Sequence, residues 1–190
     1  MKTICELSEQ EQKQLVKAFQ QINGLVVDGI IGTKTLAVLN KENMSRKLSE
    51  KGAAFIEREE GVILRPYRDS VGVWTIGIGS TRWEDGSPVK GTDKPITKAR
   101  AMELFKTTVK KYEDAVNKIT SPTNQNQFDA LVSLCYNIGV AGFLNSSVFK
   151  KVNANPNDPS INEAFKMWKN AGGKPILLNR RIREANLYFS

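Results

Sequence analysis

The sequence predicts an α+β fold: a mostly helical lobe whose one small β-hairpin sheet forms a cleft wall, preceded by a small helical module. Three observations predict it. Met102, Phe105, Val109, Tyr112 and Val116 recur at alternating 3- and 4-residue spacing, the stripe of an amphipathic helix. The one clear β signal is confined to residues 64–79. A capped helical unit ends before a polar, Gly- and Pro-free stretch at residues 41–48, which reads as a short linker. The domains therefore divide as 1–44 and 45–190.

In chain order, Ser8-Glu9-Gln10-Glu11 is a capping box. It opens a helix in which Leu15, Val16, Phe19 and Ile22 share a face, closed by Asn23-Gly24. An Asp28-Gly29 turn and Gly32 lead into a second short helix, capped by Thr33 and running from Lys34 to about Asn40. The next helix, capped by Ser45 or Ser49, carries Phe55 and Ile56 and ends in Glu57-Arg58-Glu59-Glu60 before Gly61. Leu64–Asp69, a turn over residues 70–72 and Val73–Gly79 read as a hairpin. After a Gly-rich loop the chain is helical from Thr97, broken by Ser121-Pro122-Thr123. Phe128, Leu131, Val132, Cys135 and Ile138 mark the most buried helix, followed by a turn at Gly139–Gly142. Ser146 or Ser147 caps a short helix, Ser160 caps the helix holding Phe165 and Trp168, and a basic helix starts near Asn179.

Composition removes whole classes of chemistry. There is no histidine, so the usual Ser-His-Asp and Cys-His nucleophile systems and His-containing zinc sites are excluded, and no metal or cofactor is expected. Cys5 and Cys135 stand too far apart for a disulfide-stapled scaffold, and Cys135 reads as a buried free thiol. The N-terminus turns polar at once, and no apolar run approaches the roughly 18 residues of a membrane span. A cytoplasmic origin without stable membrane insertion is therefore expected. The net charge is +8, and residues 150–190 carry eight basic and three acidic side chains. That excess points to an anionic partner, but no groove-reading motif accompanies it, so nucleic acid is not expected.

Glu60, Asp69 and Thr75 lie at a helix end and on the two arms of the hairpin. Glycoside hydrolysis needs two carboxyls with different duties, one protonated in an apolar setting and one ionised in a wetter one. Val62, Ile63 and Ile78 offer Glu60 the apolar setting, and Asp69 sits at a turn. Taken alone, this pattern also fits a turn-stabilising Asp and a surface strand Thr.

Glu60-Gly61-Val62, Tyr67-Arg68-Asp69 and Trp74-Thr75-Ile76-Gly77-Ile78-Gly79 together resemble the phage-type lysozymes, the endolysins of tailed phages. The resemblance continues through Gln127–Ser133, Tyr136–Gly139, Gly142-Phe143, Trp168, Gly172–Lys174 and Arg180-Arg181, over about residues 48–190. It implies a lysozyme-like lobe and an inverting muramidase that cuts the β-1,4 bond between N-acetylmuramic acid and N-acetylglucosamine. Glu60 would be the general acid, with Asp69 and Thr75 holding the water. Thr81, Tyr136, Asn137, Ser146, Asn162 and Arg180 resemble substrate-cleft residues. Arg180 and Arg181 resemble basic residues near the catalytic Glu, although an exposed basic helix face is expected for at least one of them. Ser80 stands where many relatives carry His, so a fold-holding role for that His does not transfer.

The first module, with Phe19-Gln20, Asp28-Gly29 and Gly32-Thr33-Lys34, looks like the small peptidoglycan-binding domain. Its wall-binding residues would include Asp28, Gly29 and Gly32. The expected partner is bacterial peptidoglycan, the expected state a monomer, and the expected route from host cytoplasm to periplasm a permeabilised membrane. Two alternatives stand beside this reading: a lytic transglycosylase, and a non-catalytic cationic protein that binds wall or membrane.

Overall fold

Ser8 starts the first helix, α1 (Glu9–Ile22), through the capping box its sequence encodes. Its Oγ accepts the Glu11 amide at 3.4 Å, and the Glu11 carboxylate accepts the Ser8 amide at 2.8 Å. The structure, a computed structural model, describes residues 8–36, 38, 46–69 and 72–190. The chain divides into two compact units, Met1–Ser45 and Arg46–Ser190. Cys5, the candidate cap Ser45, the end of the second predicted helix and part of the hairpin turn lie outside the described residues.

In the first unit the predicted apolar face is only partly covered, with Val16 and Phe19 half-buried. Leu15 and Ile22 stay 50% and 84% exposed, while Gln20 is buried. The loop over residues 28–30 has backbone groups with no helix or sheet to pair them, and one amide side chain satisfies several at once. Gln20 Nε2 donates to Asp28 Oδ1, the Ile30 carbonyl and Thr35 Oγ1 at 2.8, 2.9 and 3.1 Å, and Oε1 accepts the Gly29 amide at 2.8 Å. Asp28 Oδ1 also takes the Ile30 amide, which closes the turn around Gly29 at φ +75°. Helical structure resumes at residue 33, with the Leu36 amide on the Gly32 carbonyl.

The second unit is built on α2 (Glu50–Glu60), β1 (Ile63–Arg68), β2 (Trp74–Gly77), α3 (Lys98–Val116), α4 (Gln125–Asn145), α5 (Ser147–Ala154), α6 (Ile161–Lys166) and α7 (Leu178–Tyr188). α4 is the central helix. Its Leu131, Val132, Leu134 and Cys135 share one core with Phe55 and Ile56 of α2, Phe105 and Val109 of α3, and Ala185 and Tyr188 of α7. α4 is long and apolar enough to pass for a membrane span, contrary to the sequence expectation, because its Gln, Asn and Ser residues are spaced among strongly apolar ones. Over half of that window is buried inside the protein, and the helix serves as its core. Cys135 is buried there as expected, which pushes its thiol up to about 12.

Several local details differ from the sequence expectation. The turn predicted at residues 139–142 shrinks to one kink at Gly139, φ +79°, and the helix resumes to Asn145. Ser49 caps α2, accepting the Gly52 amide, but Ser160 does not cap α6. The Ser160 hydroxyl and amide bind Asp158 instead, at 2.7 and 2.8 Å. β2 stops at Gly77 rather than Gly79. Gly77 and Gly79 both take positive φ, and paired hydrogen bonds between Ile76 and Ser80 close the reversal.

We expect Gln20→Leu to loosen the first unit selectively, because it strands the Gly29 amide and the Ile30 carbonyl. A loss of about 1–3 kcal/mol is expected for such groups. Hydrogen-exchange protection at the Gly29 and Leu36 amides should fall roughly ten- to a hundredfold, and unchanged protection would show that Gln20 is not the pin.

Candidate active site

Glu60 is placed by both ends of α2. At the start, Asp129 on α4 accepts the Ser49 amide at 3.0 Å and the Ser49 hydroxyl, and Gln125 Nε2 holds the same carboxylate at 2.8 Å. A Cβ on Gly52 would lie 2.5 Å from Asp129 Cγ, so only glycine lets the helix approach this closely. At the far end Gly61, at φ +74°, turns the chain into β1 directly after Glu60. Val62, partly buried, and Ile78, fully buried, belong to the adjoining core.

The hairpin pairs Tyr67 with Thr75 and Arg68 with Trp74, with an irregularity between residues 63 and 67 around Pro66, which lacks an amide proton. Cross-strand partners share a face, so Tyr67 and Thr75 project from one side, and Asp69 follows directly after the end of β1. Asp69 is half-buried and accepts the Val73 amide at 2.8 Å through Oδ1. Thr75 is buried, and its hydroxyl donates to the Val73 carbonyl at 3.1 Å. The Tyr67 phenol is pushed above its ordinary range by burial, then by the charges of Glu60 and Asp69. A Cβ on Gly79 would lie 4.0 Å from Glu60 Oε2 and 3.4 Å from the Tyr136 hydroxyl, which places the end of α2 against the end of the hairpin.

The other wall is α7. Arg180 Nη1 lies 2.7 Å from Glu60 Oε1, and the same side chain reaches back through Nε to Glu184 Oε1 at 3.1 Å. Arg180 and Arg181 are only 6% and 0% exposed, so the exposed basic face expected for one of them is absent. Both sit on the face that carries Ala185 and Tyr188 into the core, and the buried Glu184 carboxylate balances them there. Exposure falls to Arg183 instead, which grips Glu59 with two hydrogen bonds of 2.7 Å. Glu184 is the site residue the sequence reading missed. Its signal was present, since Arg180, Arg181, Glu184, Ala185 and Tyr188 form one helical stripe.

The remaining candidates fall in different settings. Tyr136 lies near Glu60 and donates its hydroxyl to the Ile78 carbonyl. Burial, then Glu60, raises that phenol far above its ordinary value. Asn137 is half-buried one residue on, and Thr81 is exposed beyond the Gly79 turn. Asn162, on α6, has a buried Oδ1 without a hydrogen-bond partner. Ser146 is buried and fully engaged: it donates to the Phe143 carbonyl and accepts the Phe149 amide to cap α5. Ser80, where many relatives carry His, is buried 3.1 Å from the Thr108 hydroxyl, a neutral pair.

The family model described as "Phage lysozyme" matches residues 57–184, from the end of α2 through Glu184. The chain belongs to the phage lysozyme family. This phage lysozyme is 42% identical over 146 residues to the endolysin of Salmonella phage P22, an alignment covering 76% of the chain and 99% of that relative. A crystal structure of a P22 lysozyme mutant superposes with a TM-score of 0.69 at 41% identity, over 76% of this chain and 99% of that one. The muramidase domain of SpmX from Asticcacaulis excentricus superposes at 0.64 with 30% identity, over 76% and 99%. A second model, described as "Putative peptidoglycan binding domain", matches residues 10–39 of this lysozyme. The enzyme is a glycoside hydrolase of the bacterial cell wall, and the matches favour neither a transglycosylase nor a non-catalytic wall binder.

The Glu59–Arg183 pair gives a pH-dependent stability with a definite sign. The Arg183 hydrogen bonds hold the Glu59 carboxyl below its ordinary value of 4.5, against the pull of burial. A depressed carboxyl stabilises the fold above its unfolded value, and that gain is lost as pH falls through the folded one. Because Arg183 is half exposed, the pair is worth no more than about 1 kcal/mol. Arg183→Ala should therefore lower the melting temperature slightly at neutral pH, and the two melting curves should converge below about pH 4. A gap that widens in acid would contradict the assignment.

Proposed function

We propose that this lysozyme hydrolyses the β-1,4 bond between N-acetylmuramic acid and N-acetylglucosamine with inversion. Glu60 is the general acid, and Asp69 and Thr75 position the attacking water. The observation that carries this reading is that Glu60 closes α2 against the hairpin, its Oε2 4.0 Å from where a Cβ on Gly79 would lie, while Thr75 pairs across the hairpin with Tyr67 and Asp69 follows at the end of β1. Glu60 protonates the leaving glycosidic oxygen. Asp69, held through Oδ1 by the Val73 amide, accepts a proton from water on the opposite face of the sugar. Thr75 Oγ1 gives its proton to the Val73 carbonyl, which leaves its lone pairs to accept from that water. Tyr136, Asn137, Thr81, Asn162 and Arg180 border the substrate in this reading, and Ser146 shapes the cleft through the start of α5.

Glu60→Gln should fold normally and lose about 10²–10⁴-fold in activity, since the amide keeps the shape but has no acidic proton. Asp69→Asn and Thr75→Ala should each lower turnover on purified peptidoglycan. NMR of the first product should show the α-anomer. A β-anomer would overturn inversion and the water-holding role, and an anhydro-sugar would point to transglycosylation.

Residues 1–44 act in this reading as a wall-binding module, which raises local concentration at an insoluble polymer without changing the chemistry. The match over residues 10–39 supports it. So does a concave face of about 800 Å³ lined by Leu15, Val16, Phe19, Ile30 and Ile31, beside the Asp28-Gly29 turn. The enzyme works as a monomer and reaches the wall from the host cytoplasm once the inner membrane is permeabilised. Deleting residues 1–44 should leave cleavage of soluble oligosaccharide near intact while weakening wall pull-down and lysis. Unchanged pull-down with a large fall in melting temperature would make the module structural.

A further inference from the structure

Glu184 is a buried carboxylate that neither packing nor substrate contact explains. Its helix neighbours on the same face, Ala185 and Tyr188, are buried too, and a hydrophobic residue would fill the position without desolvating a charge. Four donor atoms of three residues surround it. Ser133 on α4 donates to Oε1 at 2.7 Å, as do Arg181 Nη2 at 3.0 Å and Arg180 Nε at 3.1 Å. Arg181 Nε lies 3.0 Å from Oε2.

The Arg180 bond matters most. A guanidinium is planar and rigid, so fixing Nε fixes the direction of both Nη groups. With Nε held by Glu184, Nη1 lies 2.7 Å from Glu60 Oε1, an ion-pair contact. The charges also have to balance. Arg180 and Arg181 bring two buried positive charges beside a carboxyl that must enter the reaction protonated, and uncompensated cations favour the ionised form of a neighbouring carboxyl.

The geometry points to Glu184 as a positioning residue, which holds Arg180 beside Glu60 and offsets part of the guanidinium charge that Glu60 faces. This rests on the reading of Glu60 as general acid. The other charged and titratable groups around the cluster do not supply the balance. Glu59 on α2 is taken by Arg183. Tyr67 and Tyr136 are phenols of β1 and α4 that burial pushes upward, so they carry no charge in the working pH range. Cys135 is held protonated by burial. Glu163 and Lys166 of α6 pair with each other. Asp69 lies on the hairpin, where its Oδ1 takes the Val73 amide. Burial raises the Glu184 carboxyl from its ordinary value, while Arg181, Arg180 and the Ser133 hydroxyl draw it back toward the anion.

The test compares pH profiles of kcat and KM on purified peptidoglycan for the full chain and for Glu184→Gln, Glu184→Asp and Ser133→Ala, with circular dichroism to check folding. Glu184→Gln is expected to lower kcat roughly ten- to a hundredfold with little change in KM. It should also move the alkaline limb of the profile to lower pH by about one unit. Glu184→Asp, which keeps the charge, should return the limb toward its original position. A folded Glu184→Gln enzyme whose profile differs from the parent only by a constant factor overturns the proposal, because a merely structural role scales activity without moving the limb. If Glu184→Gln does not fold, Ser133→Ala decides, with a smaller shift in the same direction expected and an unmoved limb overturning. Failure of the underlying reading looks different: Glu60→Gln would then retain activity, whatever Glu184 does.

Discussion

The ion pair between Glu60 and Arg180 is the contact that the rest of the catalytic unit depends on. It joins the end of α2 to the start of α7, and it exists only because α7 carries charged residues on its buried side. Taking such groups out of water is costly, and the cost is tolerable only when each has a partner in good geometry. Glu184 and the Ser133 hydroxyl provide part of that pairing, while Glu60 Oε1, Glu184 Oε2, Arg180 Nη2 and Arg181 Nε and Nη1 are buried without a hydrogen bond among the described residues. Three helices, α2, α4 and α7, are thereby tied to one another by directional contacts within an otherwise apolar core.

Rigid placement of Glu60 follows from the same economy of contacts. The Ser49–Asp129 anchor and the close approach at Gly52 set where α2 begins, and Gly61 sets where it ends. Between these points an eleven-residue helix transmits position without slack. The hairpin is held less deeply. Its own small cluster of Ile76, Val89 and Leu104, with Trp74 and Trp83 against it, supports the strand that carries Thr75. Asp69 stands at the hairpin's exposed end, where its carboxylate also braces the turn. A carboxylate at a helix end and a carboxylate at a turn, both half-buried, are held by two kinds of support.

The first unit solves a different problem. A chain segment this short cannot build a large apolar core, and polar specificity takes over part of the task. Gln20 reaches across to Asp28, Gly29, Ile30 and Thr35, so that a turn and a helix start are set by one side chain. Leu15, Ile30 and Ile31 are left substantially exposed around a shared concavity.

The sequence by itself determined the fold class, most helix starts and the place of Glu60, Asp69 and Thr75 at a helix end and on a hairpin. These depend on short-range rules: capping at Ser8 and Ser49, 3.6-residue periodicity in α3, and the spacing of Glu60, Asp69 and Thr75 around a hairpin. Local rules misjudged Ser160, whose hydroxyl found Asp158 before its own helix, and missed Gln20 on α1, which the loop at Gly29 claimed. They could not assign Arg180, Arg181 and Glu184 to the interior. A run of charges on a helix is ordinarily solvated, and whether it is buried depends on what α4 and α2 bring against it. Only the tertiary structure decided that, because the energy of a buried charge is set by its surroundings in space rather than by its neighbours along the chain.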